Sequence, residues 1–524
     1  MTITMGKPRR KGLAVAVGLA ALSLAQPSRA DWRFTPNLSL RETWTDNVML
    51  AEDGKEQSQF ITELTPGFVL LNQGPRIDFR ASYNKHLYKY ADESLRGPNG
   101  QAANSGQQTL QADLKAKLIT DTLFLDSNAT ISEQGVSAFG PTVAGAPANP
   151  YAPGVSSEIK TWRVSPYLLH RFGAQANAEL RYAHDKVSSD RSDFGTSTSD
   201  LMTLNLASGN AYRLIGWNLY YARQNLDDSI AQSSSSQNLM GTLNYLYSPQ
   251  LTLTVTAGYD KYDYQSLSGV TKGKNWSVGG SWRPSGRTSL QLNVGKRYFG
   301  DSYFLAAMHR TRTSIWTLNY SDAVTTTRSQ FQLPSAVNTF ALLDQLFQAQ
   351  IPDAAARRQA VEAYIIAAGL PPSLANSINY LSNRYMLQKQ LQASAAFNSA
   401  RGTLVLALVN SRRNGLSLTD VDAGLLGGSS NTLNDNTRQS SATATLNWRL
   451  SPRTSVNLTG SVNRSESLSQ DRTDNNRSVR LSMTRQFARQ VNGSVELRRV
   501  KGVTAVAGRD YTENAVSASV SKQF

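Results

Sequence analysis

Alternation of apolar and polar residues runs through most of this chain. The clearest stretch lies between Ser441 and Asn463. Ala442, Ala444, Leu446, Trp448 and Leu450 share one face, and Ser441, Thr443, Thr445, Asn447 and Arg449 share the other. After Ser451-Pro452-Arg453, Val456, Leu458 and Val462 alternate with Ser455, Asn457, Thr459 and Ser461. A period of two predicts a β-hairpin with one apolar and one polar face, turned where Pro lies off the ladder. The same unit recurs at Trp32–Trp44, Phe60–Phe68, Ile77–Tyr83, Leu110–Leu118, Leu123–Ile131, Trp162–Leu168, Ala176–Tyr182, Met202–Leu206 and Trp217–Tyr221. It continues through Leu239–Tyr247, Leu251–Tyr259, Trp276–Trp282 and Leu290–Val294, and past the middle of the chain through Tyr385–Phe397, Leu404–Leu408, Val479–Met483, Val495–Leu497 and the last strand to Phe524. Short turns alternate with long polar loops. The expectation is an all-β, transmembrane antiparallel up-and-down β-barrel of about 20–22 strands over residues 31–524, with tight periplasmic turns and longer extracellular loops. Trp282, Trp448 and Tyr247 suit an aromatic girdle.

Residues 335–380 break the rhythm. Ser335 can cap a helix bearing Val337, Phe340, Leu343 and Phe347, and Pro352-Asp353 can start a second with Val361, Tyr364, Ile365 and Ala368, ended by Gly369 and Pro371-Pro372. This predicts a helical insert whose apolar stripes pack on each other, on the lumen wall or on a partner. Phe340, Phe347, Arg357 and Arg358 are its candidate gate residues. A barrel needs an even strand number. The clear strands are counted as 21, with 14 before the insert; taking Val324–Phe331 as a further strand makes 22 and puts the insert on the extracellular side, and the rival is a periplasmic insert.

The N-terminus carries its own pattern. Lys7, Arg9, Arg10 and Lys11 precede an apolar run from Gly12 to Leu24, and Ser28-Arg29-Ala30 offers small residues for cleavage. Residues 1–30 read as a signal peptide, since the run is too short to span a bilayer. Its loss would lower the formal net charge of +16 by five. No cysteine occurs, which excludes a disulfide framework and thiolate metal sites. An exported basic chain of this pattern is expected in the bacterial outer membrane, with outer-membrane lipid around it. The terminal Phe524, sharing parity with Val516, Ala518 and Val520 but interrupted by Lys522, is the expected signal to the barrel assembly machinery.

With the apolar face toward lipid, the lumen would present Arg41, Arg80, Arg163, Arg181, Arg297, Arg449, Arg480 and Arg498. Guanidinium matches carboxylate and phosphate, so these are candidate anion contacts; the alternative is that each pairs across the wall with an acidic lumen residue such as Glu63, Asp126, Glu179, Asp185 or Glu496. No cofactor or metal is expected. His86, His170, His184 and His309 form no nucleophile motif or metal-ligand spacing, and His184-Asp185 reads as a strand-rim pair. Phosphate-binding glycine loops and basic-aromatic nucleic-acid modules are absent. An enzyme is not expected.

Three stretches resemble the outer-membrane barrels of the PEP-CTERM/exosortase system. They are Glu42-Thr43-Trp44-Thr45-Asp46-Asn47-Val48; Phe299-Gly300-Asp301-Ser302-Tyr303 with His309-Arg310-Thr311-Arg312 and Trp316–Tyr320; and the insert with Arg357, Val361 and Gly369-Leu370-Pro371. The resemblance implies an outer-membrane location and a link to extracellular polysaccharide, and carries no catalytic residues. The functional expectation is a conduit exporting exopolysaccharide or another polar, anionic solute. The alternatives are a structural scaffold for surface assembly and a polymer-trimming hydrolase or lyase.

Overall fold

The computed structural model describes residues 32–524 apart from 97–101, 140–148, 154, 191–193, 231–232, 265, 268, 331–338, 348–356, 358–360, 362–381, 383, 418–435, 489 and 506–508. The signal-peptide reading, Ser335, Arg358 and most of the second insert helix therefore lie outside the described residues.

Alternation becomes strand throughout. In chain order these are β1 Arg33–Thr45, β2 Gln59–Gln73, β3 Ile77–Tyr90, β4 Gly106–Ile119, β5 Leu123–Gly135, β6 Ser156–Phe172, β7 Ala176–Ser189 and β8 Thr196–Ser208. Then come β9 Ile215–Asp228, β10 Ser234–Ser248, β11 Leu251–Asp263, β12 Lys272–Ser285, β13 Thr288–Arg297, β14 Gly300–Arg310 and β15 Ser314–Thr326. The series ends with β16 Tyr385–Asn398, β17 Gly402–Gly415, β18 Asn436–Ser451, β19 Thr454–Ser467, β20 Arg472–Ala488, β21 Val491–Val503 and β22 Tyr511–Gln523. Two helices are described, α1 Thr327–Gln330 and α2 Thr339–Phe347.

Each strand pairs antiparallel with its neighbours in sequence, and β1 pairs β22, which closes a 22-stranded barrel. Closure leaves no free edge, the condition for a sheet to cross a membrane. The seam is built by the Glu42–Val48 stretch. The Thr43 and Ser517 hydroxyls lie 2.9 Å apart, Thr45 donates to Glu513 at 2.9 Å, and the Asp46 carboxylate accepts from the Asn514 backbone and side-chain amides at 2.7 Å. Asn47 then donates to the Ala51 and Thr512 carbonyls.

The outer wall is apolar and exposed. Leu243, Val255, Trp276 and Val278 are 48–58% exposed, while Thr242, Thr256 and Ser277 of the same strands face inward. Only lipid can cover such a belt, and the chain is a bacterial outer-membrane barrel. The start of β1 and the end of β22 lie at the end of the barrel with short turns, which is the periplasmic end.

The twenty-second strand is not the one expected. Val324–Thr326 only complete β15, and Thr327–Gln330 turn helical. Neither β15 nor β14 is among the alternating segments named from sequence, and β14 is the one without a signal. Phe304, Leu305, Ala306, Ala307 and Met308 are apolar without a break, so this strand has no period-two signal. Its inward-facing Met308 packs on the insert, which explains an apolar inner face. With β14 counted, the insert follows an odd strand and leaves from the extracellular end.

Candidate functional site

The lumen is divided. On one side, α2 lies against the inner wall of β15–β17. Leu343, Phe347 and Val361 share a buried cluster with Ile315, Ala396, Val405, Ala407 and Val409, and Phe340 packs at its edge. Ile315 and Ala396 stand at the periplasmic ends of their strands. The insert therefore enters from the extracellular end and reaches down the lumen, choosing the wall among the three packing options. Arg357 braces it from within, donating to Asp344 at 2.8 Å. Of the four gate candidates, then, Phe340 and Phe347 hold the insert to the wall and Arg357 holds it together.

On the other side, β8–β13 leave a cavity of about 520 Å³ in the periplasmic half. Its side chains include Ser208, Asn218, Thr242, Asn244, Thr254, Thr256, Ser277, Gln291 and Asn293, with no charge among them. These groups are held by one another. Asn218 donates to Asn205 at 2.6 Å, the Thr242 and Thr256 hydroxyls meet at 3.0 Å, and Thr254 donates to Asn244 at 3.0 Å. Sequence reading passed over these positions because each residue is an ordinary inward-facing polar group. Their grouping depends on the register of six neighbouring strands.

The eight arginines fall into two sets. Arg163 meets Asp185 at 3.2 Å; Arg181 meets Asp126 and Glu179, each at 3.0 Å; Arg297 clasps Asp260 at 2.9 and 3.0 Å; Arg480 stands 3.7 Å from Glu496; and Arg498 meets Glu513 at 2.6 Å. These five follow the wall-pairing alternative. Arg181 also lies 3.9 Å above the Tyr167 ring. Arg449 bonds the Ala400 carbonyl at the periplasmic turns. Arg41 stands opposite Glu63 and Arg80 opposite Asp113 in the ladder. The structure does not bring the eight together; they are spread around the ring.

One expected pair is corrected. His184 does not pair with Asp185: its Nδ1 lies 2.8 Å from Asp200, while Asp185 takes Arg163. Adjacent strand residues point to opposite faces, so the two could not meet. In the lumen His86 bonds Glu63 at 2.6 Å.

The extracellular mouth is crossed by loops. Arg328, at the exit of β15, reaches Asp228 at 2.7 Å and Ser197 at 2.9 Å and bonds the Phe194 carbonyl. Phe139, after β5, packs with Met386 of β16 and lies under Arg472 of β20. The Ser234 hydroxyl lies 2.5 Å from that of Tyr385, whose ring stacks on Tyr264 at 4.6 Å. The Tyr264 and Tyr298 hydroxyls lie 3.4 Å apart. Burial raises the Tyr264, Tyr298 and Tyr151 phenols above their ordinary value.

No family model matches the chain, and no curated protein matches it. Among solved structures, the F5-1 variant of the FrpB iron transporter from Neisseria meningitidis is similar with a TM-score of 0.50 at 12% identity, covering 96% of this chain and 84% of that one. The siderophore receptor PirA from Pseudomonas aeruginosa gives 0.46 at 9% identity, over 95% of this chain and 81% of that one. OpdK from Pseudomonas aeruginosa, solved with vanillate, gives 0.34 at 8% identity, over 94% and 99%. The likeness to FrpB is one of fold.

Proposed function

We propose that this chain is a gated outer-membrane conduit for a hydroxyl-rich polar solute, an exported polysaccharide in particular. The observation that carries the reading is the uncharged wall of Asn, Gln, Ser and Thr opposite the helix packed inside β15–β17. Pairing of five arginines supports a wall that selects by hydrogen bonding more than by charge. Amides and hydroxyls both donate and accept, as sugar hydroxyls do. The resemblance to barrels linked with extracellular polysaccharide points the same way. Anionic groups on such a polymer would meet Arg41 and Arg449.

Movement of the insert is the gating step in this reading. Deleting residues 331–384 should convert a low-conductance barrel in a planar bilayer into one with large, steady openings. An absence of conductance in both proteins would sink the conduit. Packing of α2 on the inner wall favours the second reading, a closed scaffold for surface assembly. A deletion strain separates them: periplasmic polymer supports the conduit, and normal export with mislocalised partners supports the scaffold.

A further inference from the structure

The outer wall carries a charge pattern that the conduit does not use. Near the extracellular ends of β17–β21, Arg412, Arg438, Arg464, Arg477, Arg499 and Lys501 all point outward and are exposed. Glu466 is the acidic residue on the same face of these strands, and it is shared by Arg438 and Arg464. Arg477, Arg499 and Lys501 have no carboxylate partner among the described residues. The ladder sets Arg412 directly opposite Arg438 and Arg477 directly opposite Lys501. Like charges facing each other across a ladder destabilise a sheet, so two such pairs on one patch call for an external anion.

Directly below lies a notch in the lipid-facing wall. Its floor is made of small residues, Ala393, Ala395, Ala442, Ala444 and Gly460. Trp316, Leu406, Leu408, Val462 and Val479 stand around it, enclosing about 1040 Å³, and Arg477 closes one end. The ladder runs continuously from Ala393 through Leu408, Ala442 and Val462 to Arg477. An apolar channel thus ends beneath the cluster of cations.

We infer that this sector binds a phosphorylated, multiply acylated glycolipid of the outer leaflet, a lipid of the lipopolysaccharide class. Its phosphates lie on the Arg477–Arg499–Lys501 group and one acyl chain lies in the notch. Guanidinium and ammonium groups at membrane headgroup level recognise phosphate, and Arg does so bidentately. The position of the cations at the extracellular end selects the outer leaflet over the inner one. The inference stands apart from the conduit reading, because every residue in it faces away from the lumen.

The test is binding to the purified full-length barrel in detergent, read by native mass spectrometry. The probes are hexa-acylated lipid A, the same lipid without its phosphates, and a phosphatidylglycerol. Lipid A should be retained at least tenfold better than either competitor. The variant R477S/R499S/K501S should lose at least tenfold of that retention, and Gly460→Leu, which fills the notch and keeps the charges, should lose it as well. Both variants should keep the wild-type conductance. Equal retention of lipid A with and without phosphate would overturn the proposal without any variant. So would tighter retention of phosphatidylglycerol, or unchanged retention in the triple variant.

Discussion

At the scale of single residues, face decides what a substitution costs. Leu243 is 58% exposed on the lipid side, and Thr242 beside it lines the open polar cavity. Leu243→Arg should cost about 2–4 kcal/mol within the apolar belt, and Thr242→Arg should cost little. Reversible folding into lipid vesicles measures both, and equal losses would show the faces to be misassigned. From sequence alone Leu446 and Thr445 look like an equivalent pair, but they are not. Thr445 is 2% exposed and lies opposite Val405, beneath the insert, so Arg there would overpack a filled space. Which face each residue takes was legible from alternation. Which lumen positions are open was not, because that depends on residues far away in sequence.

At the scale of elements, the strands read well wherever one face met lipid and the other met water. They read badly where the inner face met protein. Apolar residues run unbroken from Leu404 to Val409, and both faces of that stretch are in use: Leu406 and Leu408 outward, Val405, Ala407 and Val409 under the insert. Continuous apolar strands in a chain of alternating ones were the available signal for an inner face covered by protein, in β14 as in β17. The loops at the mouth carry a separate expectation. The raised phenols of Tyr151, Tyr264 and Tyr298 mean that the packed loops prefer the protonated form. Their contribution is complete below the ordinary tyrosine value near pH 10 and is lost as pH rises through the folded values. Protease resistance of the extracellular loops should hold at pH 8–9 and fall above about pH 10. Resistance unchanged to pH 12 would remove the tyrosines from the account of how the mouth is held.

At the scale of the whole molecule, sequence set the class, the location and the even strand number, while the seam and the divided lumen emerged only in three dimensions. The seam can be trapped. The chain has no cysteine, and the Thr43 and Ser517 hydroxyls are 2.9 Å apart. The double variant T43C/S517C should therefore form one disulfide on oxidation, visible as a shift in non-reducing gel mobility after heating. No shift would mean that β1 and β22 do not meet in this register. The same contact has a consequence for the order of assembly. Its partners are separated by 474 residues, so the chain entropy lost in joining them is on the order of 5 kcal/mol. Hairpins between neighbouring strands form at far lower entropic cost, which makes the seam the last contact to form. Until it does, β1 and β22 are two bare edges of an open ribbon. Time spent in that open state, more than the strength of the finished barrel, then sets how much of the chain is lost to aggregation.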